Sequence, residues 1–280
     1  MDPSLARVEF PTVMNIYSSW SHPKHFYICG DTKDEKLFYI EIHTGVSGKG
    51  LLGNAHGYEF HRGPTKEDPV VAAVGYESYQ AASMYQFNSD SVVVLPPYDP
   101  YNPKSTFMTA EKMPASTTPE KRAVFSFSIE VGRKMLREKF EWRQFNKDED
   151  TNAEVGGFKL VRLSPRYWRS GSNSDGGKSN SPTKAAEDNS EVVAILAWTK
   201  GWFGHSNVLS THPFTLRLVG SGKLGHFGNR WALMTVLTAL RIYDLHKIGR
   251  TKYTSIRIGE KLRRGDAHDQ SREKPSNLNK

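Results

Sequence analysis

The stretch NRWALMTVLTALRIYDLHK, residues 229–247, decides how this chain folds. At about 100° per residue its apolar side chains, Trp231, Leu233, Met234, Leu237 and Leu240 among them, point in every direction around a helical axis. A helix that is apolar all round is enclosed either by protein or by lipid. The unbroken apolar-plus-threonine run covers only 231–240 and is closed by Arg230 and Arg241. A span needs about 20 apolar residues, so the run suits a buried core helix and predicts no transmembrane segment. Asn229, after Gly228, reads as the N-cap, and Gly249 lies where such a helix stops. Arg241 and Asp244 are three apart and can pair where the helix emerges.

Upstream of this helix the signal has period two. Short strands are expected at 13–17, 25–29, 37–43, 58–62, 70–74, 82–87, 92–95, 124–130, 138–145, 158–163, 192–198 and 214–219. In 124–130, for example, Phe125, Phe127 and Ile129 share a face. Two flat layers would leave part of the helix wet, so the sheet must wrap around it. The expected fold is mainly β: a closed or nearly closed antiparallel barrel of about 12 strands around the hydrophobic helix, with inward aromatic residues packed on it. Residues 1–258 then form one domain. Within it, 96–103 and 114–119 are irregular loops, 164–190 is a polar insertion expected to be disordered, and 253–258 adds a last outer strand. Residues 259–280 are expected to be a disordered tail.

Cys29 is the only cysteine, which excludes an intrachain disulfide. The start MDPSLARVEF lacks a basic segment followed by an apolar core, so the expected location is intracellular: cytoplasmic, peripheral on a membrane, or nuclear. The net charge is +8, and its distribution is uneven. Between 247 and 264, seven Lys and Arg face only Glu260. A second basic run is Lys159, Arg162, Arg166 and Arg169; a third is Arg133, Lys134, Arg137 and Lys139, diluted by Glu130, Glu138 and Glu141. Such runs fit phosphates of lipids or nucleic acids. Tyr253 is the one aromatic in the carboxy-terminal cluster, which disfavours base stacking and hence nucleic acid. The expected lipid-phosphate ligands are Lys252, Arg257, Lys261, Arg263 and Arg264, with Lys159 and Arg162. The last two lie on opposite faces of a regular strand. If barrel closure gathers the runs, a phosphate-binding face results; if it scatters them, each is a solvated edge.

No chemical motif survives inspection. Gly48 to Gly53, read GKGLLG, has dinucleotide-fingerprint spacing, but no helical run follows to hold a pyrophosphate. A glycine-rich hairpin loop is the better reading. Asp148, Asp150 and Asn152 open like a calcium loop, yet Ala153 and Lys159 stand where glycine and glutamate are required. The ten histidines lack metal-site spacing. No catalytic residue, metal ligand or cofactor is singled out. The chain therefore reads as a non-enzymatic binding module for anionic lipid headgroups, with no particular protein partner indicated. Two alternatives stay open: a protein- or nucleic-acid-interaction protein using the same tail, and an enzyme or small-ligand carrier on the barrel loops, which requires a concave pocket with convergent polar groups.

About twelve short strands followed by a hydrophobic helix resemble the tubby carboxy-terminal fold, shared with phospholipid scramblases and LURP-one-related proteins. The segments FSFSIEVGRKMLREKFEWRQF (125–145), GGFKLVRL (156–163), EVVAILAW (191–198) and NRWALMTVLTALRIYDLHKIGR (229–250) resemble uncharacterised fungal proteins associated with that superfamily. The likeness covers roughly 39–258. It implies binding of phosphoinositides or other anionic lipids, and it carries over no individual functional residue.

Overall fold

A computed structural model describes residues 8–18, 25–77, 89–97, 107–147, 155–163, 190–199 and 211–272, with side chains as far as Leu262. Among the described residues thirteen strands form one antiparallel sheet: β1 (Val13–Ser18), β2 (His25–Cys29), β3 (Lys36–His43), β4 (Gly57–His61), β5 (Val70–Gly75), β6 (Ser91–Leu95), β7 (Thr109–Met113), β8 (Ala115–Thr117), β9 (Ala123–Val131), β10 (Leu136–Phe145), β11 (Gly157–Leu163), β12 (Ser190–Trp198) and β13 (Phe214–Leu218). Each strand pairs with its neighbours in sequence except β7 and β8, which are the two ends of the sheet, and β13 returns to pair with β1 through Met14↔Leu216. The sheet is a nearly closed barrel.

Its seam lies at Pro114. β7 and β8 are one extended run broken there; β7 bonds only to β6, and β8 only to β9. Where β7 runs beside β9 there is no ladder. The sequence reading made 114–119 an irregular loop and gave no strand to 109–113, so it missed both. Proline normally argues against a strand because it cannot donate to the ladder. Here the Pro114 carbonyl still accepts from Ser126 N at 3.1 Å, and the break is where the run changes partners.

The interior is filled by α2 (Asn229–Lys247), which follows the short α1 (Gly220–Lys223) and threads the barrel over about 28 Å at 1.5 Å per residue. From Leu233 to Leu245 every residue is buried, and Met234 and Leu237 are fully so. Inward aromatic residues pack on it as expected: Phe140 on Trp231 (5.9 Å), and Phe214 and Phe26 on Tyr243 (5.3 and 5.9 Å). Trp142 Nε1 donates to Thr238 Oγ1 at 2.9 Å, and that hydroxyl donates to Met234 O at 2.8 Å, so a polar pair is satisfied inside the core.

The helix ends differ from expectation at one side only. Gly228, at φ 87°, occupies the N-cap position; Asn229 is already helical and makes no capping bond. A residue without Cβ takes that left-handed φ at no steric cost. At the far end Gly249 N bonds His246 O (3.0 Å) and Arg250 N bonds Leu245 O (2.8 Å), the paired bonds of a Schellman stop.

The strand expected at 253–258 is instead the start of α3 (Tyr253–Arg272), and residues 259–272 of the expected tail continue that helix. Ile256 and Ile258 mimic period two, yet Ile256 is buried and Ile258 is 40% exposed, as fits opposite sides of a helix. The expected strand 82–87, the insertion 164–189, the 148–152 acidic loop and residues 273–280 lie outside the described residues. The 48–53 loop joins β3 to β4 without a helix, held by Leu51 N to Glu59 Oε1 (3.2 Å) and His43 Nε2 to Gly53 O (2.7 Å).

Candidate functional site

Charge changes sign around the barrel. Residues 25–77, which carry β2 to β5, hold eight Asp and Glu against five Lys and Arg. Across the barrel, 109–147 and 155–163, which carry β7 to β11, hold eleven Lys and Arg against five Glu. Burial sharpens the contrast. Three of those glutamates, Glu111, Glu130 and Glu138, are buried. On the outside stand Lys121, Arg133, Lys134, Arg137, Lys139, Arg143 and Lys147, all exposed, with Glu120 as the exposed carboxylate. Glu141 sits half-buried between Lys139 (3.1 Å) and Arg143 (3.0 Å).

Each buried glutamate has a structural partner. Arg137 bridges Glu111 and Glu130 at 2.5 Å each, across the seam where β7 and β9 share no ladder. Arg230, at the start of α2, bonds Pro96 O (2.5 Å), Thr109 Oγ1 (2.6 Å) and Glu111 Oε1 (3.3 Å). Two guanidiniums and two carboxylates thus seal the unladdered part of the wall. Glu138 takes both Arg162 Nε (2.6 Å) and Nη2 (2.8 Å), and Glu191 lies 3.7 Å from the same guanidinium. The negative charges are spent inward, so the outer wall is left basic.

The expected ligand set divides on this geometry. Lys252, just before α3, and Arg257 and Lys261 on it are exposed; α3 packs on β8 through Glu260, the acceptor of Thr117 N and Oγ1 (both 3.0 Å). Their helix therefore adjoins the basic wall. Ile258 and Leu262, each 40% exposed, share its outward side with Arg257 and Lys261. Arg263 and Arg264 lie on α3, their side chains outside the described part. Lys159 is on the outer wall, its Nζ 4.8 Å from the centre of the Phe145 ring. Arg162 is a correction: opposite Phe140 in the ladder, it turns inward and is bound by Glu138. Taking a phosphate there would require displacing a bidentate carboxylate.

The third basic run lies exposed on this wall, although its glutamates had seemed to dilute it. Period two carried part of the signal, since Glu138 shares parity with the inward Phe140 and Trp142. Glu130 shares the parity of outward Ser126 and Ser128, so its burial under Arg137 had no local sign. Arg143 and Lys147 were missed because neither belongs to a contiguous basic run.

Two further features flank the wall. At the end where α2 begins, a concavity of about 320 Å³ is lined by the β9–β10 turn, Arg162, Ser221, His226 and Phe227. At the opposite end Arg241, fully buried, donates Nη1 to Asp244 Oδ2 (2.5 Å) and Nε to Ser91 Oγ (2.8 Å); its Cζ lies 4.0 Å from the centre of the Tyr76 ring. Tyr58 donates to Asp244 Oδ1 at 3.0 Å; burial, then the Asp244 charge, raises its pKa and keeps it a donor. Burial also lowers the pKa of His246, stacked on Trp198 at 4.5 Å, with Lys252 adding to the effect. Among the described residues no His, Cys, Asp and Glu group has metal-site geometry, and no helix is long and apolar enough to cross a membrane.

Comparison with protein-family models, with curated proteins and with solved structures finds no match to this chain.

Proposed function

We propose that this chain is a binding module that docks on anionic membrane surfaces through the β8–β11 wall and the outward side of α3. The observation that carries the reading is the charge segregation around the barrel, with exposed Lys and Arg on one wall and their sequence-neighbouring glutamates buried. A cation near an anionic bilayer contributes about 1 kcal/mol, within a Debye length of about 8 Å in physiological salt. Many cations on one face act together; the same number scattered would not. Apolar residues beside them, as on α3, suit the headgroup boundary. The strand-then-helix order behind the likeness to the tubby and scramblase superfamily supports the same reading.

The test is co-sedimentation with neutral and with anionic vesicles. The native chain is expected to pellet with the anionic ones, less so as salt rises. Combining Arg143→Gln on the wall with Lys261→Gln on the helix removes two contributions of about 1 kcal/mol, so affinity falls roughly thirtyfold. Lys49→Glu, exposed on the acidic side, leaves it unchanged. Equal pelleting by neutral vesicles, or equal weakening by Lys49→Glu, overturns the reading.

A further inference from the structure

We propose that the β9–β10 turn is a membrane-inserting tip, which seats the apolar side chains of Met135 and Leu136 among lipid while Arg133 and Lys134 hold headgroup phosphates. This rests on the docking function and adds how the surface is gripped. The turn caps the basic wall, since it joins two of that wall's strands. Within four residues it presents two exposed cations, then Met135 at 37% and Leu136 at 55% exposure. Gly132 N donates to Phe227 O at 3.2 Å, which stitches the turn to the segment that leads into α2. That segment adds exposed Lys223 and Leu224, the latter 65% exposed. Apolar side chains ringed by cations match an anionic interface, where charge draws the surface in and apolar burial holds it.

Backbone geometry points the same way. Met135 has φ 52°, a left-handed conformation that costs a side-chain-bearing residue roughly 1–2 kcal/mol and that glycine or asparagine adopts more readily. Met135 nonetheless keeps 37% of its surface exposed there. Beneath the tip lies the concavity lined by Arg133, Lys134, Ser221 and His226, open beside the cations.

Insertion predicts a signal that electrostatic docking alone does not. Cys29 is fully buried, so Leu136→Cys can be labelled selectively with a polarity-sensitive fluorophore. On anionic vesicles the label's emission is expected to shift to the blue, while a label at Lys49→Cys stays unmoved. Met135→Gly with Leu136→Ser keeps every charge and relieves the left-handed residue. It is expected to pellet normally at low salt and to bind roughly tenfold more weakly at high salt, where apolar contact carries the residual affinity. Pelleting without a blue shift, or unaltered high-salt binding by the double variant, overturns the insertion and leaves surface docking standing. Failure of the native chain to pellet with anionic vesicles overturns both.

Discussion

Arg241 and Asp244 show at single-residue scale what enclosure does to charge. Their i, i+3 spacing was visible in the sequence, and the expectation placed them where the helix emerges. They lie instead inside the barrel, Arg241 fully buried and Asp244 nearly so, with Ser91 bonded to Arg241 Nε and Tyr58 to Asp244 Oδ1. A buried pair is weak evidence for net stability, but breaking it strands a charge. Arg241→Met is expected to lower stability by about 3–5 kcal/mol, because the buried Asp244 loses its guanidinium partner and is left with Tyr58 as its side-chain donor. Arg241→Met combined with Asp244→Leu loses distinctly less. Denaturant unfolding of both variants checks this; equal losses would mean that packing, not the stranded carboxylate, sets the cost.

At the scale of elements, α3 was the segment least legible in the sequence. Residues 253–258 were expected to be an outer strand, and a helix with so polar a composition is decided by what it can dock on. Its latch is Glu260 on Thr117. Hydrogen bonds to a charged acceptor contribute about 1.5–3 kcal/mol. Glu260→Ala is therefore expected to speed amide exchange across 253–262 while α2 keeps its protection, because the barrel closes without α3. If α2 amides lost protection in parallel, the two helices would be one cooperative unit. β7 and β8 were illegible for a related reason. Their pattern is short, polar and interrupted by Pro114, and only the neighbours β6 and β9 make it a strand.

At the scale of the molecule, pH dependence sums over sites, and three histidines at the end where α2 stops share one sign. Burial comes first in lowering the pKa of His56, His212 and His246 below the ordinary 6.5, with Lys252 adding to it at His246. The folded state therefore holds them neutral, while the unfolded chain takes up protons as pH falls through about 6.5. Their contribution is fully present above that value and is lost as pH falls toward the depressed folded values. The thermal midpoint is expected to drop between pH 7.5 and 5.5, with a shallower drop for His246→Gln; a midpoint rising over that interval would contradict it.

The sequence by itself determined that a wholly apolar helix must be sheathed and that alternating strands would do it, because period and polarity are local properties of a backbone with a fixed repeat. From these followed the barrel, its filled interior and most strand positions. Only the tertiary structure decided where the barrel closes, that 253–272 is helical, and which charges remain outside. Arg137 finds Glu111 across 26 residues, and Arg230 finds the same carboxylate across 119. Whether a glutamate offsets its neighbours or is spent inward depends on such distant approaches, and linear spacing holds no record of them.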